Sequence, residues 1–124
     1  MELSRDLPAD AATRIIRAYA AGSITTSHET VTHSVVLAAG SIAPWAPTAP
    51  MLITAADVEQ LIALKPELIL IGTGAKLVFP PQPALAPARA RRIGVEVMDT
   101  AAACRTYNLL TTDGRKVVAG LLMI

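Results

Sequence analysis

The sequence predicts an α/β fold, a single three-layer domain over residues 1–124 with a mixed, largely parallel central sheet, helices on its faces and an N-terminal β-hairpin. Three observations predict it. Leu68-Ile69-Leu70-Ile71 is a continuous apolar run, too short for a free-standing helix, and its length and flanks suit a strand buried on both faces. Gly94 to Met98 offers a second short β-branched run, followed by an Asp-Thr step into an alanine-rich stretch of strong helix formers. From residue 31 to residue 98 strands and helices alternate, which is the order that builds a parallel sheet through right-handed crossovers.

The elements follow in chain order. Residues 1–12 are polar, carry Pro8 and read as a loose arm or edge segment. Thr13 to Ala20 contains Ile15, Ile16 and Tyr19 and stops at the Ala21-Gly22 turn signal, which makes it a strand. Ile24 to Thr26 and Thr30 to Leu37 are rich in β-branched residues, and Ser27-His28-Glu29 between them closes an antiparallel hairpin. Gly40 to Met51 holds Pro44, Pro47 and Pro50 together with Trp45, the chain's single tryptophan, and reads as an ordered loop.

Thr54 and Asp57 have capping spacing, and Val58, Leu61, Ile62 and Leu64 then fall on one helical face until Pro66, so a helix is expected over Ala55 to Leu64. The buried strand follows and turns out through Gly72-Thr73-Gly74. Pro80 to Pro87 punctuates a loop leading into a short helix over Ala84 to Arg92, which Gly94 closes. Asp99 is a strong N-cap, since its carboxylate can accept from the orphan amides of a helix that starts at Thr100. Thr112-Asp113-Gly114 ends that helix, and Val117 to Ile124 is a last apolar strand of either direction.

One stretch carries a resemblance. GVEVMDTAAACRTYN, Gly94 to Asn108, taken with Leu70-Ile71-Gly72-Thr73-Gly74 and Phe79-Pro80-Pro81, resembles a family of small α/β domains that includes the mitochondrial complex I assembly factor 3 and many bacterial proteins of unknown function. The resemblance runs from about Tyr19 to the C-terminus. It implies a one-domain α/β fold without established catalytic residues, and a role in assembling a respiratory or membrane-associated complex.

Composition narrows the classes. The hydrophobic fraction is 52% and mean hydropathy +0.46, but much of this is alanine and aromatic residues make up only 3%, which suits a compact, helix-bearing globule. No apolar run approaches the roughly 18 residues of a membrane-spanning helix. The opening MELSRDLPADAATR has neither a signal peptide's apolar core nor a transit peptide's basic bias, so a cytoplasmic location is expected. One cysteine excludes an internal disulfide. A net charge of +1 gives no global pull toward nucleic acid or an anionic membrane.

Candidate chemistry is sparse. Cys104 shares a helix face with Thr100 and Tyr107 but lies a full turn inside the helix among alanines, as a buried, inert thiol would. His28 and His33 lack a third ligand, so no metal is expected. Gly72-Thr73-Gly74 could bring backbone amides close to a ligand, yet it has neither the G-x-G-x-x-G run into a helix nor the Gly-Lys-Ser/Thr end of a phosphate loop. Arg92, Arg105, Arg115 and Lys116 read as a solvated rim. Trp45 is either a core plug or an exposed anchor for a partner.

Parallel strands put the loops that follow them at one carboxyl edge. The expected ligand- or partner-binding residues are therefore Trp45, Gly72, Thr73, Gly74, Asp99 and Thr100, with Thr73 and Thr100 offering hydroxyls, the glycines amides and Trp45 an apolar wall. No catalytic residue, metal ligand or cofactor is expected. The favoured function is a non-catalytic interaction or assembly factor, whose protein partners the resemblance implies to be subunits of a respiratory or membrane-associated complex, without nucleic acid or direct membrane insertion. The alternative is a small-ligand binder or an enzyme using the carboxyl-edge crevice.

Overall fold

The computed structural model describes residues 1–3 and 12–124. A small sheet forms first, from β1 (Ile16–Ala20), β2 (Ser23–Thr26) and β3 (Thr30–Val31), all antiparallel. Gly22, at φ 77°, makes the turn between the first two, a left-handed conformation that glycine adopts without steric cost. The β2–β3 turn needs no glycine: the Thr26 hydroxyl accepts from the amides of His28 and Glu29, both at 3.1 Å, and itself donates to the Glu29 carboxylate. Most of the expected N-terminal arm, residues 4–11, lies outside the described residues. Its start is an edge segment, with Leu3 donating to the Arg17 carbonyl at 2.7 Å and Glu2 bridging to Ala18.

The central sheet comprises β4 (Val35–Ala38), β5 (Ser41–Pro44), β6 (Leu68–Gly72), β7 (Gly94–Met98) and β8 (Val117–Leu121), in the order β5-β4-β8-β6-β7. Strand β6 is parallel to both β7 and β8, whereas β4 is antiparallel to β5 and β8. The expected strand from Thr30 to Leu37 is thus divided between two sheets, and its second half runs against the parallel set. Its direction follows from the next connection: Ala39-Gly40 joins β4 to β5 as a tight hairpin, which only antiparallel neighbours allow. The expected loop over Gly40 to Met51 accordingly begins with a strand, tolerated because Pro44 falls at the end of an outer strand.

The helices are α1 (Ala55–Ile62), α2 (Gln82–Ala90) and α3 (Thr100–Thr112). Thr54 and Asp57 form a complete capping box for α1, and the Asp99 carboxylate accepts from Ala102 N at 2.8 Å to start α3. Helix α2 begins earlier than the prolines suggested. Pro83 stands in the first turn, where its missing amide hydrogen costs nothing, and Pro87, four residues on, loses only the bond to the Pro83 carbonyl. Arg92 at φ 56°, rather than Gly94, turns the chain out of α2, while Ile93 N donates to Ala88 O at 2.9 Å.

Alternation along the strands divides the core into two layers. Val36, Ile69, Ile71 and Val118 point toward α1 and α2 with Trp45, Val58, Leu61 and Leu85. Val35, Leu37, Leu70, Ala119 and Leu121 face the other way, against Ala103, Cys104 and Tyr107 of α3 and against Ile16 and Ile24 of the small sheet. Asn108, buried on α3, ties the small sheet down: its side chain accepts from Ile16 N and donates to Ile16 O, both at 2.7 Å. Tyr107 adds a bond from its hydroxyl to Arg14 O at 2.7 Å, and burial raises its pKa above the ordinary phenol value.

Candidate functional site

Pro44, Val35, Leu121, Gly72 and Met98 stand side by side across the sheet. Of the strands that hold them, β5, β8, β6 and β7 all end at that edge, and Trp45, Leu122, Thr73 and Asp99 follow immediately. The hairpin, not a crossover, therefore brings Trp45 to the carboxyl edge: β4 runs away from it and β5 brings the chain back. All the expected site residues gather here. Five of them are buried, and only Asp99 is partly exposed.

Their polar groups are spent on one another. The Thr100 hydroxyl accepts from Gly74 N at 2.8 Å and donates to Leu122 O at 2.7 Å, while Thr100 N donates to Gly74 O at 2.9 Å. Thr73 N donates to Met98 O at 2.9 Å, so neither amide of the Thr73-Gly74 pair is left to hold an anion. The glycines serve close packing. A Cβ on Gly72 would stand 2.9 Å from the Thr100 hydroxyl oxygen, and Gly74 has φ 96° with Met123 O at 3.1 Å from a Cβ position. The edge is a sewn seam between strands, and α3 starts on it.

Trp45 is the core plug, 4% exposed. Its Nε1 donates to Asp57 O at 3.1 Å, and its ring occupies the space above Gly120, where a Cβ would lie 2.7 Å from Cη2. Cys104 is fully buried, and burial pushes its thiol up to about 12, far from a nucleophile's range. His28 Nδ1 lies 3.0 Å from the neighbouring Ser27 hydroxyl and His33 Nδ1 lies 3.1 Å from Ser34 O. Among the described residues no group of three or more His, Cys, Asp or Glu is placed to hold a metal ion. The basic residues are surface groups: Arg105 donates to the Tyr19 hydroxyl at 3.1 Å, and Arg115 lies 3.7 Å from Glu67.

What the seam presents to solvent is the loop just beyond it. The Thr73 hydroxyl donates to Lys76 O at 2.5 Å and accepts from Val78 N at 3.3 Å, folding residues 73–78 into a compact turn. That turn holds Leu77, Val78 and Phe79 outward, with Leu77 53% and Phe79 60% exposed. Phe79 overhangs a cleft of about 200 Å³ lined by Leu85, Arg89, Ile93, Val95 and Val97. Three consecutive large apolar side chains beside a cleft of mainly apolar lining are a surface that favours contact, since water solvates them poorly. Sequence reasoning passed over them. Their apolar run, between Gly74 and Pro80, gives no sign in the sequence of which side faces solvent.

The chain resembles proteins already described. The family described as a protein of unknown function (DUF498/DUF598) matches residues 16–122. A Bordetella parapertussis protein of known crystal structure is 38% identical with a TM-score of 0.86, covering 94% of this chain and 100% of that one. A Bordetella pertussis protein described as a Mth938-like domain is 33% identical with a TM-score of 0.80, covering 99% and 92%. The 13 kDa major membrane protein of Francisella tularensis subsp. holarctica is 39% identical over 59 residues, 48% of each chain, so the match spans about half the length of that curated relative. No helix among the described residues is long and apolar enough to cross a membrane.

Proposed function

Because the chain belongs to the family of unknown function described as DUF498/DUF598, whose structures are Mth938-like, we propose that it is a non-catalytic interaction or assembly factor acting in the cytoplasm on protein subunits of a membrane-associated complex. In its narrower form the proposal gives it the role of the mitochondrial complex I assembly factor 3 toward a respiratory complex. One observation carries it: Leu77, Val78 and Phe79 stand exposed on a turn held by Thr73, beside an apolar cleft. A fold that spends the hydroxyls and amides of its carboxyl edge internally, and then displays apolar side chains next to it, is built for contact more than for turnover. Thr73, Gly74, Asp99 and Thr100 take part by positioning that turn and the start of α3, Gly72 by its close packing against Thr100, and Trp45 by filling the core beneath the same edge. The Francisella relative's description as a membrane protein is compatible with a partner at the membrane.

The test is made in a bacterium that carries the gene. Deletion is expected to reduce assembled respiratory complexes on native gels, and a photo-crosslinking residue at position 77 is expected to capture subunits of such a complex. Replacing Leu77 and Phe79 by serine, at exposed positions that leave the core intact, should abolish both rescue and capture. Unchanged assembly in the deletion strain, with no crosslinked subunit, would overturn the proposal.

A further inference from the structure

The two outer strands of the central sheet differ. On one side β5 ends in Pro44, which has no amide hydrogen to donate. On the other side β7, GVEVM, contains no proline and, among the described residues, pairs only with β6. Met98 O accepts from Thr73 N, so Gly94, Glu96 and Met98 direct their backbone groups at β6, and Val95 and Val97 direct theirs outward. An outer strand of this kind is a template for another extended chain. Beside it lies the cleft, on the same face as the Val95 and Val97 side chains and beneath Phe79.

Charge determines what fits. Arg89 lines the cleft, and no partner for its guanidinium is found among the described residues. Glu96 is exposed on the opposite face of β7, the face of Met98, and likewise has no described partner. A second copy of the chain fits poorly. The antiparallel register that pairs the whole of β7 with itself sets Glu96 directly opposite Glu96, and like charges so placed repel. We infer that the free edge of β7 and its cleft receive an extended segment of a partner protein as a sixth strand, with apolar side chains in the cleft, an acidic one at Arg89 and a cation opposite Glu96. This rests on the interaction role proposed above and specifies its partner: main-chain bonds to Val95 and Val97 supply the docking, and the two charges set its polarity.

The test uses two synthetic peptides of about ten residues, the length of a long strand. One alternates valine and lysine with aspartate in place of its last valine, on the cleft face; the other has these charges reversed. The first is expected to bind the intact protein and to slow hydrogen exchange at the Val95 and Val97 amides, and the second to bind more weakly. Glu96→Lys, a change at an exposed side chain, should weaken the first peptide by about tenfold, and Arg89→Glu should do likewise. Val97→Pro, which removes an outward amide while sparing the β6 ladder, should abolish binding; if that variant does not fold, Glu96→Lys decides.

Absence of protection at both amides, or equal binding of both peptides with no effect of Glu96→Lys, would overturn the inference. So would protection that appears with protein concentration alone, which would mean a second copy. Sedimentation with phosphatidylglycerol vesicles but no peptide binding would also overturn it, in favour of a membrane surface. If Leu77 and Phe79 substitutions abolish cellular capture while Glu96→Lys and Val97→Pro do not, the strand addition fails and the interaction role stands. Capture unchanged by either set of substitutions overturns both.

Discussion

Replacing Thr100 by valine removes a single hydroxyl from a fully buried site and keeps the shape of the side chain. That hydroxyl holds Gly74 N at 2.8 Å and Leu122 O at 2.7 Å, so valine strands one buried donor and one buried acceptor. Each costs about 1–3 kcal/mol, giving a loss on the order of 2–6 kcal/mol against a total stability of about 5–15 kcal/mol. Serine keeps the hydroxyl and gives up one methyl, for about 0.8 kcal/mol. Alanine removes the hydroxyl without pressing a methyl toward Gly72, where a Cβ would already be only 2.9 Å from the Thr100 oxygen. Urea denaturation followed by circular dichroism should show the valine and alanine midpoints lowered by about 1 M or more with an unchanged slope, and serine close to the parent. Hydrogen exchange at Gly74 should accelerate in the same two variants. A valine variant within about 0.5 kcal/mol of serine would refute the idea that this hydroxyl sews the edge together.

Gly120→Ala should cost about 1–3 kcal/mol by forcing its methyl into the Trp45 ring, and tryptophan fluorescence should report the displaced indole. Trp45→Ala should cost about 3–5 kcal/mol by emptying a core position, so any loss of partner capture in that variant reports unfolding unless stability is matched. Cys104, with its thiol raised to about 12 by burial, should react with a thiol reagent at pH 8 far more slowly than free cysteine and reach the free rate only in denaturant. Burial opposes ionisation of Glu29, but the Thr26 hydroxyl and the Arg14 guanidinium at 3.1 Å outweigh it and hold the carboxyl below its ordinary value. A folded-state value below the unfolded one means stability that is present at neutral pH and lost as pH falls through the folded-state value. Denaturation midpoints of the parent and Glu29→Gln, measured from neutral to acid pH, should therefore converge at low pH.

Much of the secondary structure was legible because its causes are local. The Thr54-Asp57 capping box and the Asp99 cap act within three residues of sequence, and the apolar run at Leu68 to Ile71 marks a two-sided burial whatever its neighbours. The burial of Cys104 was likewise implied by its place inside α3. The parallel run of β6 and β7 was legible from the helix between them, but the directions of β4 and β8 were not, because pairing depends on which edges meet: β8 enters between β4 and β6, although it is last in the chain. Side-chain roles at the carboxyl edge were hidden for the same reason. Whether a threonine hydroxyl faces a ligand or a carbonyl is decided by a residue distant in sequence, as Leu122 is for Thr100, and whether Trp45 plugs the core is decided by the missing side chain of Gly120. The exposure of Leu77, Val78 and Phe79 also belongs to the tertiary structure, since apolar residues signal burial by composition and only the Thr73 turn, closed against Lys76 and Val78, points these three at water.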